Sequence, residues 1–325
     1  MSLQVSAIEP GSYPPACTLH LKGVPVSIAN AIPRSLIRWV KTVSLNPKIR
    51  NHFQVIRCPE SRTTEQIRVC LEQIAWRIPS DVLQPFDEEA GLTSANSLRF
   101  TIRKSHPNPQ KDSTWLGIYP TDEIMVLSSD IKWQPYDEAQ RSRIEFWYTR
   151  HARHHLYFSN SPESKGEVCR PNYEDIILTI LRPGESIDMT FYLTLSNTVS
   201  VDHYGGSPVT AKTQLHPIPR VLLDEKSPIV DLEEIDQLIK LCPKKVFSKI
   251  NENTLVVNNE GKDCSHCMRC QEAFPNPSRI QLSDLVDEHN IRIQTRNGIP
   301  LVDLIPRALD HLIETCDLYL STGLF

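Results

Sequence analysis

In the stretch YEDIILTILRPGESIDMTFYLTL, residues 173–195, two apolar runs flank an Arg-Pro-Gly-Glu-Ser turn. The second run alternates, with Ile187, Met189, Phe191, Leu193 and Leu195 on one side and Asp188, Thr190, Tyr192 and Thr194 on the other. That period of two is the mark of a half-buried strand, and Pro183-Gly184 supplies a reversal, so the spacing predicts a β-hairpin. Upstream, strands are expected at 98–104 and 123–128. Residues 105–122 and 134–140 read as loops, and RSRIEFWYTRHARHHLYF (141–158) is ambiguous between helix and strand. Downstream, a polar loop leads into a strand over VTAKTQLHPIP (209–219).

Working outward to the ends, CTLHLKGVPV (17–26) reads as a strand. A helix at about 30–43 follows, with Ile32, Leu36, Trp39, Val40 and Val43 at helical spacing. Starting it at Asn30 keeps Pro33 in the first turn; an interior proline would cost about 3 kcal/mol. Phe53 to Arg57 is a short strand, and Thr64 can cap a helix whose face is Ile67, Cys70, Leu71 and Ile74. NIRIQTRNG (290–298) is a last strand before a final helix from about 300 to 320. There Ile305, Leu309, Leu312, Cys316 and Tyr319 or Leu320 recur at spacings of four and three, which suits either core packing or a face shared with a partner chain.

Alternating strands with a helix at either end make an α+β protein, and 325 residues allow two or three domains, or one domain with insertions. The net charge of −4 disfavours gripping nucleic-acid backbone as the main task. No secretory leader is expected from the N-terminal residues, and the apolar runs are far shorter than the roughly 20 residues that cross a bilayer, so a soluble, intracellular chain is expected. No P-loop, GxSxG, HExxH or paired-carboxylate signature occurs, which leaves no independent active site. Asp87, Glu88 and Glu89 read as a solvated loop, and His151, His154 and His155 as a surface cluster.

The nine cysteines carry more information. Four are concentrated between 242 and 270, which in a reducing compartment points to a metal centre. Cys264, Cys267 and Cys270 form C-x2-C-x2-C, the start of a ferredoxin-type motif whose fourth cysteine, followed by proline, serves the other cluster in two-cluster proteins. Here Phe274-Pro275 stands in that fourth place, while Cys242-Pro243 reads as the end of a second motif whose earlier places are Leu232, Ile235 and Leu238. Crossing the sets leaves one complete ligand group, Cys242, Cys264, Cys267 and Cys270, and one wholly apolar group. The expectation is a ferredoxin-like module holding one [4Fe–4S] cluster. Four thiolates also make a tetrahedral zinc site, and free buried thiols are the bland reading. Cys17, Cys58, Cys70, Cys169 and Cys316 are scattered and read as structural.

Several stretches taken together resemble the alpha-like subunits of multisubunit RNA polymerases. PVSIANAIPRSLI is similar to the family's first dimerisation helix, and VLSSDIKWQP to a segment of the family member shared by RNA polymerases I and III. ILTILRPGESIDM resembles the family's L-R-P/K-G-Q-E hairpin and DHYGGSPVTAK its H-A-K-x-S-P-V-x-A stretch; IRIQTRNGIPLVDLIPRALDHLI resembles its closing strand and second dimerisation helix. The cysteine module sits where the archaeal members of the family carry their cluster domain. The sequence departs at Pro33-Arg34 and at His203-Tyr204-Gly205.

The resemblance implies a dimerisation domain split into 1–52, 207–223 and 289–325. A middle α/β domain (53–206) and a ferredoxin-like module (224–288) are inserted into it. It implies a non-catalytic subunit that pairs, through Ile32, Leu36, Trp39, Val40, Ile305, Leu309, Leu312 and Cys316, with a smaller alpha-like subunit. That pair would form the assembly platform for two large catalytic subunits, with small zinc-binding subunits nearby. The expected place is the nucleus, or the cytoplasm in an archaeal or viral form, with no membrane and no sequence-specific DNA contact. An iron–sulfur electron-transfer protein and a metal-stapled adaptor are the alternatives.

Overall fold

A computed structural model describes residues 2–5, 16–107, 123–150, 169–201, 206–210, 212–224, 229, 231–251, 254–273, 279–296 and 301–322. The chain begins with strands β1 (Ser2–Val5) and β2 (Ala16–Lys22), helix α1 (Val26–Arg38), strands β3 (Thr42–Leu45) and β4 (Phe53–Arg57), and helix α2 (Thr64–Gln73). Strands β5 (Ser97–Ser105), β6 (Ile124–Leu127) and β7 (Ile131–Trp133) lead to helix α3 (Glu138–Arg150). Next come β8 (Ile177–Leu181), β9 (Ser186–Ser196), a single turn α4 (Thr198–Val201), β10 (Gln214–Leu223) and α5 (Leu232–Leu241). The remainder is β11 (Phe247–Asn251), β12 (Thr254–Val257), the short α6 (Arg269–Ala273), β13 (Ile280–Gln294) and α7 (Leu301–Ser321). All strand pairs among the described residues are antiparallel, so the protein is mixed α+β.

The chain divides into two compact units. The larger holds residues 8–17, 31–213 and 293–325. Its centre is a five-stranded sheet in which β9 is flanked by β5 on one side and by β3 and then β4 on the other, with β7 beyond β5. Alternation in β9 buries Ile187, Met189, Phe191 and Leu193 on one face, where they meet Leu98, Phe100 and Ile102 of β5 and the indole of Trp76. The rings of Phe100 and Phe191 stack 5.7 Å apart, with Trp76 tilted 4.9 Å from Phe100. Full burial of side chains of this size stabilises by roughly 1.5–3 kcal/mol each, so this aromatic knot anchors the unit. Helix α2 starts at a capping box in which Thr63 and Gln66 bond each other's backbone, one residue before the expected cap, and buries Ile67 and Leu71 on the same core. The ambiguous segment from 141 is helical through Arg150, and α3 begins at Glu138, inside the expected loop. The remainder of that segment, with His151, His154 and His155, lies outside the described residues.

The expected hairpin forms only as a turn. Gly184 takes φ +87°, as the Pro-Gly pair foretells, and the Glu185 N–H donates to the Arg182 carbonyl at 2.9 Å. The strands it joins do not pair with each other: β8 pairs with β6, while β9 pairs with β5, β3 and β4. A reversal fixes the direction of the chain, and partner choice follows burial. Along nine register positions β9 lies beside β5, whose Leu98, Phe100 and Ile102 are buried with it, whereas β8 carries Leu178 and Leu181 into the core from a second, two-stranded sheet.

Helix α1 also differs from its expected course. It starts at Val26, with the Ala29 N–H bonded to the Pro25 carbonyl at 3.0 Å, and ends at Arg38, so Pro33 is interior and Val43 belongs to β3. Pro33 has no N–H to offer the Ala29 carbonyl, a cost of about 3 kcal/mol that the burial of Ala29, Ile32 and Leu36 offsets. In the larger unit the Ser35 hydroxyl donates to the Ala308 carbonyl of α7 at 3.2 Å, and Trp39 stacks on His311 with centroids 5.1 Å apart. Among the described residues, no helix is long and apolar enough to cross a membrane.

The smaller unit holds β1, residues 18–30 and residues 214–292. Its four-stranded sheet runs β1-β2-β13-β10, and β13 starts at Ile280, ten residues before the expected strand. Glu288, on β13, lies nearly buried between Lys22 Nζ at 3.2 Å and Lys262 Nζ at 3.3 Å, with His20 Nε2 at 3.8 Å. A second core forms from Val221, Ile235, Leu238, Val246, Phe247 and Ile280, and it underlies the cysteine-bearing segment.

Candidate functional site

The four cysteines singled out by spacing come from three elements of the smaller unit. Cys242 is the C-cap of α5, its N–H bonded to the Leu238 carbonyl at 3.2 Å. That helix forms because Asp231 caps it and Ile235 and Leu238 recur on one buried face. Cys264 and Cys267 lie in the loop after β12, and Cys270 sits in the first turn of α6.

The loop is shaped by backbone that side chains rarely adopt. Asn259, Glu260 and Gly261 occupy the left-handed region in succession, with φ of +47°, +53° and +82°. His266 at +52° and Met268 at +63° repeat the left-handed turn between the cysteines. Such residues cost on the order of 1–3 kcal/mol each and persist where surrounding structure enforces them.

The outcome is a single small pocket lined by Cys242, Cys264, Cys267 and Cys270, with Val221, Val246, Phe247 and Leu282 as apolar walls. Backbone N–H groups point at the sulfurs: Val246 donates to Cys242 Sγ and His266 to Cys264 Sγ, each at 3.4 Å. Burial pushes the Cys270 thiol above its ordinary value, and the neighbouring Cys264 and Cys267 thiols push it the same way against the backbone hydrogen bonds at Gln271 and Cys270. An electropositive ion between these sulfurs would reverse that balance, because a metal ligand must be thiolate. Among the described residues, no three His, Cys, Asp or Glu side chains stand together as a group able to hold a metal ion as they are placed. The four thiols share this pocket with apolar walls, and two of them accept from backbone N–H groups.

Of the places expected to be apolar, Ile235 and Leu238 are buried core, Leu232 is exposed, and Phe274 lies outside the described residues. Of the expected interface residues, Ile32, Leu36, Val40 and Ile305 are buried within the chain itself. Trp39 and Cys316 are exposed, and Leu309 and Leu312 are partly buried. Beyond Leu312, α7 exposes Ile313, Leu318, Tyr319 and Leu320. Spacing alone did not separate the buried first half of this helix from its bare second half. The left-handed turns that seat the cysteine loop are likewise not legible in the sequence, since Asn259, Glu260, His266 and Met268 carry no signal for a positive φ.

A mixed α+β chain with antiparallel sheets and a four-thiol pocket is the class that fold and site define. Over 150 residues, 46% of the chain, it is 29% identical to "DNA-directed RNA polymerases I and III subunit rpac1" of Dictyostelium discoideum, and the match covers 41% of that protein. The chain therefore spans about two fifths of the length of that curated relative. Over 315 residues, 93% of the chain and 89% of the relative, it is 23% identical to a "Conjugation stage-specific protein" of Tetrahymena thermophila. No family model matches.

Proposed function

We propose that this chain is a non-catalytic assembly subunit of a DNA-directed RNA polymerase, the larger member of an alpha-like pair of the polymerase I and III type. The observation that carries this reading is the 29% identity over 150 residues to a polymerase I and III subunit. The resemblance of the separate stretches from about 17 to 320 supports it. In this role the chain works in the nucleus. Its split dimerisation domain (1–52, 207–223 and 289–325) pairs with a smaller alpha-like subunit, and the pair receives the two large catalytic subunits. The inserted middle domain (53–206) faces a large subunit or a small zinc-binding one.

The pairing face would comprise Trp39, Leu309, Leu312, Ile313, Cys316 and Leu320. Ile32, Leu36, Val40 and Ile305 are buried in the chain, so they are not themselves open to a partner. An apolar helix face of this kind is ordinarily covered by a partner.

The pocket of the inserted module (224–288) would hold one [4Fe–4S] cluster through Cys242, Cys264, Cys267 and Cys270, with zinc as the alternative occupant. When bound, either group supplies metal–sulfur bonds that cross-link α5 to the loop before α6, which makes it a staple of the module. Val246 and His266 would orient their neighbouring sulfurs through their N–H groups. The apolar walls keep water from the inner side of the site.

The test is affinity purification of the tagged chain from its own cells, without oxygen, with proteins identified by mass spectrometry and iron, sulfide and zinc measured in the eluate. Two very large polymerase subunits with a small alpha-like partner are expected. Recovery of reductases in their place, or of the chain alone, would end the polymerase reading. Iron and sulfide in equal amounts, lost together in Cys264→Ser and Cys267→Ser, distinguish the cluster from zinc and from free thiols.

A further inference from the structure

Between Glu9 and Glu60 the sequence holds no acidic residue, yet Lys22, Arg34, Arg38, Lys41, Lys48, Arg50 and Arg57 all fall in that interval, in a chain of net charge −4. The fold sets part of this asymmetry along one line. Strand β3 pairs with β9 from Thr42↔Ser196 to Leu45↔Leu193, and β4 continues along the same edge from Phe53↔Phe191 to Arg57↔Asp188. Lys41 precedes β3, Arg50 lies in the turn between the two strands and Arg57 ends β4; all three are exposed. None of the three forms an ion pair among the described residues, and the carboxylate opposite Arg57, that of Asp188, is taken by Arg103 Nε at 3.2 Å.

Strand β4 is itself unusual. Gln54, Val55, Ile56 and Arg57 are all exposed, Ile56 to 65%, and among the described residues the strand pairs with β9 alone. A free strand edge with a bare isoleucine invites another strand, and natural edges are guarded, commonly by charge. Here the guards are a register shift between Val55 and Arg57 and the basic charge of Arg50 and Arg57, with Glu60, whose N–H donates to Glu185 Oε1 at 3.0 Å, beyond the end of the strand. A second copy of this edge would bring like charge against like, and is repelled. Nucleic acid could satisfy the cations but could neither pair with the backbone of β4 nor cover Ile56. An extended peptide with carboxylates does all three.

We infer that the outer edge of β4 is a docking strand for an extended acidic segment of a partner protein, which adds to the sheet beside β4 and sets its carboxylates against Arg50 and Arg57. Backbone pairing gives the affinity and the basic line selects the partner. The strand shares no residue with the cysteine pocket or with α7, and the inference does not depend on the partner being a polymerase subunit.

Hydrogen exchange of the full chain, free and in the complex purified from its own cells, tests this before and after nuclease treatment. The β4 amides that do not face β9 should exchange at least tenfold more slowly in the complex, with or without nuclease. Arg50→Glu with Arg57→Glu should abolish that slowing, while Arg50→Lys with Arg57→Lys keeps it. Unchanged exchange of β5 and β9 in the free variants controls for folding. A photo-cross-linker at Gln54 should join an acid-rich segment of a single protein. Equal exchange of β4 in free and bound chain, slowing that survives charge reversal or vanishes with nuclease, or a cross-link to a segment without acids would each overturn the inference. The protein composition of the same complex reports separately on the polymerase reading.

Discussion

Gly261 lies directly against Val221: a Cβ on Gly261 would stand 2.5 Å from Val221 Cγ2 and 2.6 Å from its backbone nitrogen. Val221 lines the cysteine pocket, and Gly261, at φ +82°, closes the turn that delivers Cys264 to it. Gly261→Ala meets two penalties at once, a left-handed backbone that L-residues avoid and a clash with an unyielding strand. Together these should cost about 2 kcal/mol or more. Chemical denaturation should show the loss, and hydrogen exchange should confine it to residues 214–292. Equal stability in the variant would mean that the close approach is not a constraint.

Lys22 is the largest influence holding the Glu288 carboxylate below the usual glutamate range; burial opposes this and Lys262 adds to the lowering. A carboxylate whose folded value is depressed contributes stability that is present above its unfolded value and lost as pH falls through the folded one. Glu288→Gln should therefore lower the unfolding midpoint at pH 7. The gap to the parent chain should close below the ordinary glutamate value of about 4.3. A gap of the same size at pH 3 would show that Glu288 acts through packing and not through its charge.

What the sequence made legible follows from which signals are local. Alternation in 187–195 identified a strand, and the Pro-Gly pair a reversal, because both are properties of a few adjacent residues. That β9 pairs with β5 in place of β8 depends on side chains some ninety residues away, and no local pattern carries it. Pro33 misled the reading of α1 in the opposite sense. The local cost was real, but the tertiary burial of Ala29, Ile32 and Leu36 outweighed it. The cysteine spacing picked out four thiols that line one pocket. The left-handed residues that bring them there are Asn, Glu, His and Met, which only the surrounding contacts can impose.

Thiol labelling separates the cysteines by environment. Cys267 and Cys316 are exposed, so both should react rapidly with a maleimide in the native metal-free chain. Cys17 and Cys169 are buried, and burial alone pushes the Cys169 thiol far above the usual range, so both should react only on unfolding. If the proposed centre is bound, Cys267 should become protected by tenfold or more while Cys316 is unaffected. Chelation of the metal should restore its reactivity. Equal labelling of Cys267 in metal-bound and metal-free protein would remove it from the ligand set.

Helix α7 offers the sharpest separation of folding from assembly. Its first half is fixed to the larger unit through buried Leu304, Ile305 and Ala308 and through Arg307, whose Nη2 lies 2.8 Å from Asp81 Oδ1. Its second half exposes Ile313 to 59% and Leu320 to 70%. A charge at either exposed position removes little from the chain's own core, so Ile313→Glu and Leu320→Glu should change the unfolding free energy by less than about 0.5 kcal/mol. Under the proposed pairing the same substitutions set an unpaired carboxylate in an apolar interface. That should weaken association with the smaller alpha-like subunit by at least a hundredfold, since a desolvated unpaired charge costs about 3 kcal/mol or more. Leu312→Glu, at a partly buried position, should do both kinds of damage. Co-purification of the two subunits, measured beside the unfolding curve of the free chain, reads both effects. Normal pairing by a folded Ile313→Glu chain would place the partner somewhere other than this helix.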